Sequence, residues 1–331
     1  MGNTKIEWAD RVWNPVTGCT KISPGCQNCY AERMAKRLRG RCGYDADEPF
    51  RVTLHPERLE EPMRWLKPSM VFVCSMGDLF HDDVPDEFIH RVFATIGQCP
   101  QHTFIILTKR PKRMKAFIED YYAYKSPSGD EQGLHIQPNV WLGVTAENQE
   151  MADRRIPILL QIPATVRCVS VEPMLGPVDL TRVGGDWHGH GRIDALNGRR
   201  NIEEYIFEYS LRWKTERCEK IDWVICGGET GPDAWPMHPD WVRSLRDQCQ
   251  ASGTKFFFKS WGEWVCRPWS SDNGRKRELC LGMDGTSVYA QVGHMMGFRK
   301  PGEALMVRVG KKAAGRLLDG REWNEMPEAQ S

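Results

Sequence analysis

Short runs of almost continuously apolar residues recur along this chain and alternate with stretches whose apolar residues repeat at helical spacing. Runs that are short, apolar throughout and rich in β-branched or aromatic residues are typical of strands buried on both faces. The pattern predicts seven strands, at residues 11–15, 70–74, 102–107, 139–144, 166–171, 222–226 and 255–259.

Helices are predicted between these strands, over residues 85–99, 112–122, 149–161 and 239–252. In the last of them, Pro239 suits a first helical position and Gly253 ends the helix. Alternating strands and helices predict an α/β fold with a parallel sheet covered by helices. Six or seven such units predict a complete or partial (β/α) barrel of the TIM type. An open, doubly wound sheet is the alternative.

Two stretches depart from this alternation. Residues 181–220 are rich in glycine, histidine and then arginine, so we predict an insertion within a barrel that spans residues 1–260. His188 and His190, in this stretch, lack a nearby third ligand and are predicted to lie in a mobile loop and not at a zinc site. Residues 261–331 are predicted to form a C-terminal appendage with a basic tail.

Composition narrows the class of protein. The 331 residues include 45 Lys and Arg against 44 Asp and Glu, and this net charge of +1 argues against nonspecific coating of nucleic acid while allowing a local basic groove. No apolar run approaches the roughly 18–20 residues that span a bilayer, so we expect a cytoplasmic protein without a membrane partner. In such a protein, the twelve cysteines are expected to be thiols.

Three of the cysteines cluster just after the first predicted strand. Cys19, Cys26 and Cys29 lie within eleven residues, and Pro24 and Gly25 bend the loop so that the thiols can converge. Clustered thiolates suit iron–sulfur or zinc better than calcium or magnesium. A structural zinc site usually has four protein ligands. Three thiolates on an iron–sulfur cluster instead leave one iron open to another molecule.

Polar residues follow nearly every predicted strand. In a parallel barrel, these strand ends open on one face, where ligands bind and catalysis takes place. An enzyme is therefore predicted. The polar groups occur at residues 75–83, 108–111, 145–148, 172–174, 227–232 and 260–263.

Individual roles follow from residue chemistry. Lys109 and Arg110 could bind a carboxylate or phosphate, or pair with acids opposite them. Asp78 and Glu172 are candidate hydrogen-bond acceptors or proton carriers. The segment 81–83 is predicted to be a solvated helix start, and 227–231 a tight turn that lets a ligand approach the backbone.

The cysteine loop on a parallel barrel resembles the radical S-adenosylmethionine superfamily. There, three cysteines hold a [4Fe–4S] cluster, and cleavage of S-adenosylmethionine on the fourth iron yields a 5′-deoxyadenosyl radical. Tyr30 after the last cysteine, and the pair Thr108 and Lys109, resemble the spore photoproduct lyase type. The chain more closely resembles an uncharacterised phage-associated family, through residues 13–15, 18–32, 75–80, 107–111, 170–174 and 227–231.

The chain departs from the superfamily in two ways. Its cysteines are separated by six and then two residues, where the superfamily has three and then two. Its Gly-Gly-Glu sequence, at 227–229, follows the sixth predicted strand, where the superfamily has such a sequence after the second.

The resemblance implies site residues, cofactors and partners. It implies cluster ligation by the three cysteines, an electron donor such as a flavodoxin or ferredoxin, and room for a partner protein. Phage association and the basic segments point to a nucleic acid or nucleotide substrate. The implied S-adenosylmethionine contacts are Ser75 and Asp78 near the methionine amino group, Thr145 and Asn148 near the ribose, and Tyr30. The residues assigned to catalysis are Lys109, Glu172 and Glu229.

Two other functions fit the same residues. One is a zinc-stabilised nucleic-acid-binding module in which Cys42 or a histidine completes the shell. The other is a barrel nuclease or hydrolase that uses Asp78, Glu172 and Glu229 around a divalent ion.

Overall fold

The computed structural model describes residues 4–124, 137–185, 191–207, 210–268, 278–289 and 302–328. Within these ranges the strands are β1 (Arg11–Trp13), β2 (Val16–Thr17), β3 (Thr53–Leu54), β4 (Met70–Val73), β5 (Thr103–Thr108), β6 (Val140–Thr145), β7 (Val166–Val171), β8 (Ile193–Asp194), β9 (Arg199–Phe207), β10 (Ser210–Arg217), β11 (Trp223–Gly227), β12 (Lys255–Ser260), β13 (Trp264–Arg267), β14 (Glu278–Leu281), β15 (Ser287–Tyr289) and β16 (Ala304–Arg308). The helices are α1 (Tyr30–Leu38), α2 (Asp86–Gly97), α3 (Pro111–Tyr124), α4 (Gln149–Leu159), α5 (Pro239–Ser252) and α6 (Lys311–Ala314).

Seven strands form one parallel sheet in the order β1-β4-β5-β6-β7-β11-β12. They are the seven strands that the apolar runs predict, with boundaries shifted by a residue or two. Their spatial order follows the chain order, whereas a doubly wound sheet reverses direction at a switch point. The parallel α/β prediction is confirmed, and the doubly wound alternative is wrong.

The sheet is strongly curled into a half-barrel. Trp8, just before β1, contacts Trp223 of β11, with ring centroids 5.9 Å apart. In the sheet order these two strands are five spacings apart, which would place them about 24 Å apart in a flat sheet. The contact therefore requires that the sheet bend around its own concave face.

The two faces of the half-barrel are packed differently. Phe104 and Ile106 of β5 point to the face covered by helices, while Ile105 between them points to the concave face. This alternation follows from the two-residue period of a strand. The concave face is filled largely by aromatic and branched residues, among them Trp8, Trp141, Trp223 and Phe257.

The helices agree closely with the sequence pattern. Helix α5 begins at Pro239 and ends before Gly253, whose φ of 72° lies in the left-handed region that glycine adopts most easily. Helix α2 occupies the middle of its predicted range. No helix in the described part of the chain is long and apolar enough to cross a membrane.

The predicted insertion contains the antiparallel sheet β10-β9-β8. His188 and His190 lie outside the described residues. In the C-terminal region, the antiparallel sheet β13-β16-β14-β15 is followed by a segment that returns to the half-barrel. Phe258 N of β12 donates to Trp323 O over 2.9 Å. This segment covers the edge of β12 and so protects unpaired backbone groups.

The contact across the concave face predicts the effect of removing Trp8. We expect Trp8→Ala to lower the free energy of unfolding by about 3–5 kcal/mol, as for other buried tryptophans, because Trp8 is only 4% exposed. Urea titration measures the change. Leu66, which is 93% exposed, is the control, and Leu66→Ala should change stability by less than about 0.5 kcal/mol. Equal effects of both substitutions would contradict the proposed packing role.

Candidate functional site

A cavity of about 280 Å³ lies at the C-terminal ends of the parallel strands. The loop that carries the clustered cysteines forms one wall, and strand ends from β4 to β12 form the others. Ten of the eleven site residues predicted from the sequence line this cavity. They are Cys19, Cys26, Cys29, Tyr30, Ser75, Asp78, Lys109, Thr145, Glu172 and Glu229.

Asn148 is the predicted site residue that does not line the cavity. It precedes α4, and its side-chain oxygen accepts a hydrogen bond from Met151 N over 3.0 Å. This is the geometry of a helix N-cap, in which the side chain satisfies one of the free amides of the first turn. The structure thus gives Asn148 a capping role in place of a contact with the cavity.

The cysteine loop begins after β2 and ends at α1. Pro24–Cys26 form a single 3₁₀ turn, which is the bend that Pro24 and Gly25 predict. Cys29 is the residue just before α1, and all three cysteines are free thiols of intermediate exposure. The turn and the helix start direct the three thiols to the same cavity wall.

A buried carboxylate anchors the middle of this loop. Gly25 N donates to Glu147 Oε1 over 3.0 Å, and Glu147 Oε2 accepts from Arg155 Nη1 over 2.9 Å. Burial alone would raise the pKa of Glu147, but a hydrogen bond from Ser23 and the charges of Arg155 and Lys109 lower it below its ordinary value. An ionised group therefore joins the loop to the end of β6.

A second carboxylate anchors the end of the loop. Asn28 Nδ2 donates to Glu229 Oε2 over 3.0 Å, and the same oxygen accepts from Trp235 N over 2.7 Å. Glu229 is buried. Asn28, which immediately precedes Cys29, thus ties the end of the loop to the residues that follow β11. Through this contact Glu229 positions the loop.

A third carboxylate acts at the start of the loop, through an arginine. Arg110 Nη1 lies 3.4 Å from Cys19 Sγ and 3.3 Å from Asp78 Oδ2. Asp78 also accepts from Thr108 Oγ1 over 2.7 Å and from Phe80 N over 3.0 Å. Its two oxygens are therefore largely occupied by the protein itself.

His81 belongs to the same region of the loop. It is only 3% exposed, and its Nε2 lies 2.9 Å from Thr20 Oγ1. Burial and the charge of Arg110 lower the pKa of His81. The prediction of a solvated helix start at 81–83 is wrong for His81, because the histidine turns inward to support the loop while Asp82 and Asp83 stay exposed.

The thiols differ in their electrostatic surroundings. Burial and the nearby charge of Asp78 raise the pKa of Cys19, despite the hydrogen bond from Arg110. Burial also opposes ionisation of Cys26, but the charge of Lys109 and hydrogen bonds within the loop hold the pKa of Cys26 below its ordinary value. Cys26 is thus the more easily ionised of the two, and thiolates are the form that binds metal.

Lys109 faces the cavity without a direct partner. Among the described residues its ammonium group has no hydrogen bond and no ion pair, and the residue is half-buried. Ser75 Oγ, on the neighbouring wall, donates to Asn14 Oδ1 over 3.2 Å. An anionic ligand in this part of the cavity would gain a strong, charge-assisted partner in Lys109.

Lys259 is a cavity residue that sequence reasoning missed. Its Nζ lies 2.5 Å from Glu172 Oε1. Burial opposes the charge of Lys259, but Glu172 raises the pKa of the lysine above its ordinary value. Lys259 lies at the end of the apolar run 255–259. Polar residues at the ends of the other runs are predicted to form the site, and the same signal could have identified Lys259.

The thiol set fits an iron–sulfur group in its chemistry, because three free thiols share one cavity. As placed, no three His, Cys, Asp or Glu side chains of the described residues could hold a single metal ion. A cluster binds each thiolate at a separate iron and so does not need such a close triad. Cys42, considered above as a fourth zinc ligand, is exposed and lies outside the cavity wall.

The chain belongs to the family described as protein of unknown function (DUF5131), whose pattern matches residues 3–327. No curated protein and no solved structure matches the chain significantly. The family match therefore covers the half-barrel, the cysteine loop and most of the C-terminal region together.

The anchor at Glu147 predicts a loss of stability in Glu147→Gln. Removing one partner of a buried pair leaves Arg155 uncompensated, so we expect a loss of about 3–5 kcal/mol at pH 7. The folded pKa of Glu147 lies below its ordinary value of 4.5. The difference between wild type and variant should therefore be full above pH 4.5 and shrink as the pH falls through the folded pKa.

Urea titration from pH 7 down to about pH 2, below the folded pKa of Glu147, measures this difference. Glu150→Gln is the control, because Glu150 forms an exposed pair with Arg154 on the same helix, and such pairs contribute less than about 1 kcal/mol. A loss that stays constant over this pH range would show that the carboxylate charge of Glu147 does not provide the anchor.

Proposed function

We propose that this protein is a radical S-adenosylmethionine enzyme on a partial barrel of the TIM type, with a nucleic acid or nucleotide as substrate. The observation that carries the proposal is the convergence of three free thiols on one cavity at the ends of parallel strands. When bound there, a [4Fe–4S] cluster would supply the electron that cleaves S-adenosylmethionine to methionine and a 5′-deoxyadenosyl radical.

The residues of the chain would have distinct tasks in this function. Cys19, Cys26 and Cys29 would hold the cluster. Lys109, which has no direct partner among the described residues, suits the carboxylate of the methionine group. Ser75 keeps its proposed place near the methionine amino group. These assignments match the chemistry of each side chain to the part of the ligand that it could bind.

In the proposal, Asp78 and Glu229 hold the cysteine loop in position and do not bind the ligand or take part in catalysis. Asp78 is engaged by Thr108, Phe80 and Arg110, and Glu229 by Asn28 and Trp235. Both are positioning residues. Tyr30 and Thr145 stay as cofactor contacts, and Glu172 and Lys109 as the cavity groups that could carry charge or protons during the reaction.

A nucleic acid or nucleotide substrate is supported by cavity chemistry. Arg110 is committed to Cys19 and Asp78, and Lys109 is assigned to the cofactor. Of the lysines and arginines that line the described cavity, Lys259 is then the one left for a substrate. Each turnover also requires one electron from outside, and a flavodoxin or ferredoxin is the proposed class of donor. The proposal also allows for a partner protein that presents the target.

The two other functions are less well supported by the contacts. A divalent-ion hydrolase would need Asp78, Glu172 and Glu229 together, but Asp78 and Glu229 are occupied by several groups of the chain. Glu172 is paired with the cation of Lys259. A zinc module would need a fourth ligand, and Cys42 is exposed and does not line the cavity that the three clustered cysteines share.

Anaerobic reconstitution with iron and sulfide tests the proposal. We expect a brown protein with broad absorption near ~400 nm, and release of 5′-deoxyadenosine when dithionite and S-adenosylmethionine are added. Replacing Cys19, Cys26 or Cys29 by alanine should abolish both signals, because each removes a thiolate ligand. Cys42→Ala is the matched control and should retain them.

Two results would contradict the proposal. One is a colourless protein that binds stoichiometric zinc and loses it in Cys42→Ala. The other is hydrolysis of nucleic acid that requires magnesium or manganese and survives replacement of the three cysteines by serine. Metal analysis and the 5′-deoxyadenosine assay separate these outcomes.

A further inference from the structure

An accessible ion pair lies in the cavity. Glu172 Oε1 and Lys259 Nζ are 2.5 Å apart, and their side chains are 23% and 19% exposed. The buried pair of Glu147 and Arg155, by contrast, is 0% and 6% exposed. Glu172 and Lys259 are thus open to a ligand, while the other pair is sealed within the protein.

The fold makes this pair possible by leaving space above β11. Glu172 follows β7 and Lys259 is in β12, and β11 lies between these strands in the sheet. Gly227 ends β11, and a Cβ there would lie 3.5 Å from Glu172 Cδ and 3.4 Å from Lys259 Cβ. A larger side chain would fill the space through which the two charges meet.

The two charged groups have hydrogen-bonding capacity that no described residue of the chain uses. The bond between Lys259 Nζ and Glu172 Oε1 is the one hydrogen bond that either charged group makes within the described residues. An ionised carboxylate offers about four acceptor positions and an ammonium group three donors. Most acceptor positions of Glu172 and two donors of Lys259 are therefore left for a ligand.

We propose that Glu172 and Lys259 bind the Watson–Crick edge of a guanine base. Guanine presents two donors side by side, N1–H and N2–H₂, which match the two oxygens of one carboxylate. Its O6 acceptor is adjacent to N1, where an ammonium group bonded to that carboxylate can donate. This inference rests on the proposed function for the class of substrate and names the base within it.

Other bases match the pair less well. Adenine and cytosine each present one donor group on this edge, next to a ring-nitrogen acceptor, and uracil presents one N–H between two carbonyls. None of the three can place donors on both carboxylate oxygens. Hydrogen bonds to the Watson–Crick edge require that the base be unpaired or extruded from a helix, as in enzymes that act on bases.

Tyr30, proposed above as a cofactor contact, is the most exposed aromatic side chain of the cavity wall and would also offer a base a stacking surface. It lines the same cavity and is 58% exposed. Its hydroxyl is close enough to influence the charge of Lys259. Bases taken out of a helix commonly stack on aromatic side chains in this way. Tyr30 would therefore contact the face of a base whose edge is bound by Glu172 and Lys259.

Binding of nucleoside monophosphates to the full chain tests the inference. The probes are guanosine, inosine, adenosine and uridine monophosphate, measured by calorimetry. Inosine lacks only the N2 amino group, so we expect it to bind about tenfold or more weakly than guanosine, as for loss of a hydrogen bond to a charged group. A single-stranded oligonucleotide with one guanine shows whether the base is taken from a free nucleotide or a polymer.

Variants assign the contacts to each partner. Glu172→Gln should reduce the difference between guanosine and inosine, because the amide has one acceptor oxygen and cannot accept from both donor groups of guanine. Lys259→Met should weaken guanosine and inosine equally, because both carry O6, and Lys259→Arg should restore part of that binding. Lys255→Met is the control at the exposed other end of β12 and should leave all affinities unchanged.

Two results would overturn the inference: equal affinity for guanosine and adenosine monophosphate, or an unchanged ratio of guanosine to inosine in Glu172→Gln. Thermal unfolding of each variant shows whether lost binding reflects lost folding, and a ratio within one variant is independent of the folded fraction. Iron content is measured separately. Base selectivity in a protein that binds no iron even after anaerobic reconstitution would leave this inference intact and contradict the proposed cluster.

Discussion

The middle of the cysteine loop depends on one interaction, the hydrogen bond from Gly25 N to the buried carboxylate of Glu147. A loop that carries three thiols has little apolar surface of its own, so polar contacts must hold it. Glu147 can provide one because Arg155 compensates its charge inside the protein. Without that compensation, burial would favour the neutral acid and weaken the contact.

Asp78 and Glu229 extend the same principle to the two ends of the loop. Asp78 acts through Arg110 near Cys19, and Glu229 acts through Asn28 beside Cys29. Glu147 follows β6, Asp78 follows β4 and Glu229 follows β11, so residues after three separate strands hold one loop. The curl of the sheet is what brings these ends around it. Much of the polar ring at the strand ends thus serves the loop and leaves few groups for a ligand.

This division explains what the sequence could and could not predict. Strands and helices follow from local periodicity, and the cavity position follows because parallel strands end on one side. The partner of each polar group does not follow, since Asn28 and Glu229 are 201 positions apart. Their contact depends on the curl of the sheet and on the path of the loop. The inward turn of His81 and the pairing of Lys259 depend on these features as well.

The groups left free by the fold divide the cavity into two parts of different chemistry. Near the cysteines, Lys109 makes no direct contact with an anion among the described residues, and a cation in that position favours an anionic ligand. Near β12, the charges of Lys259 and Glu172 balance each other. A second net charge would be repelled by one member of that pair, whereas a neutral group with both donors and acceptors can bind both. The chain therefore provides one place suited to a carboxylate or phosphate and another suited to a neutral base.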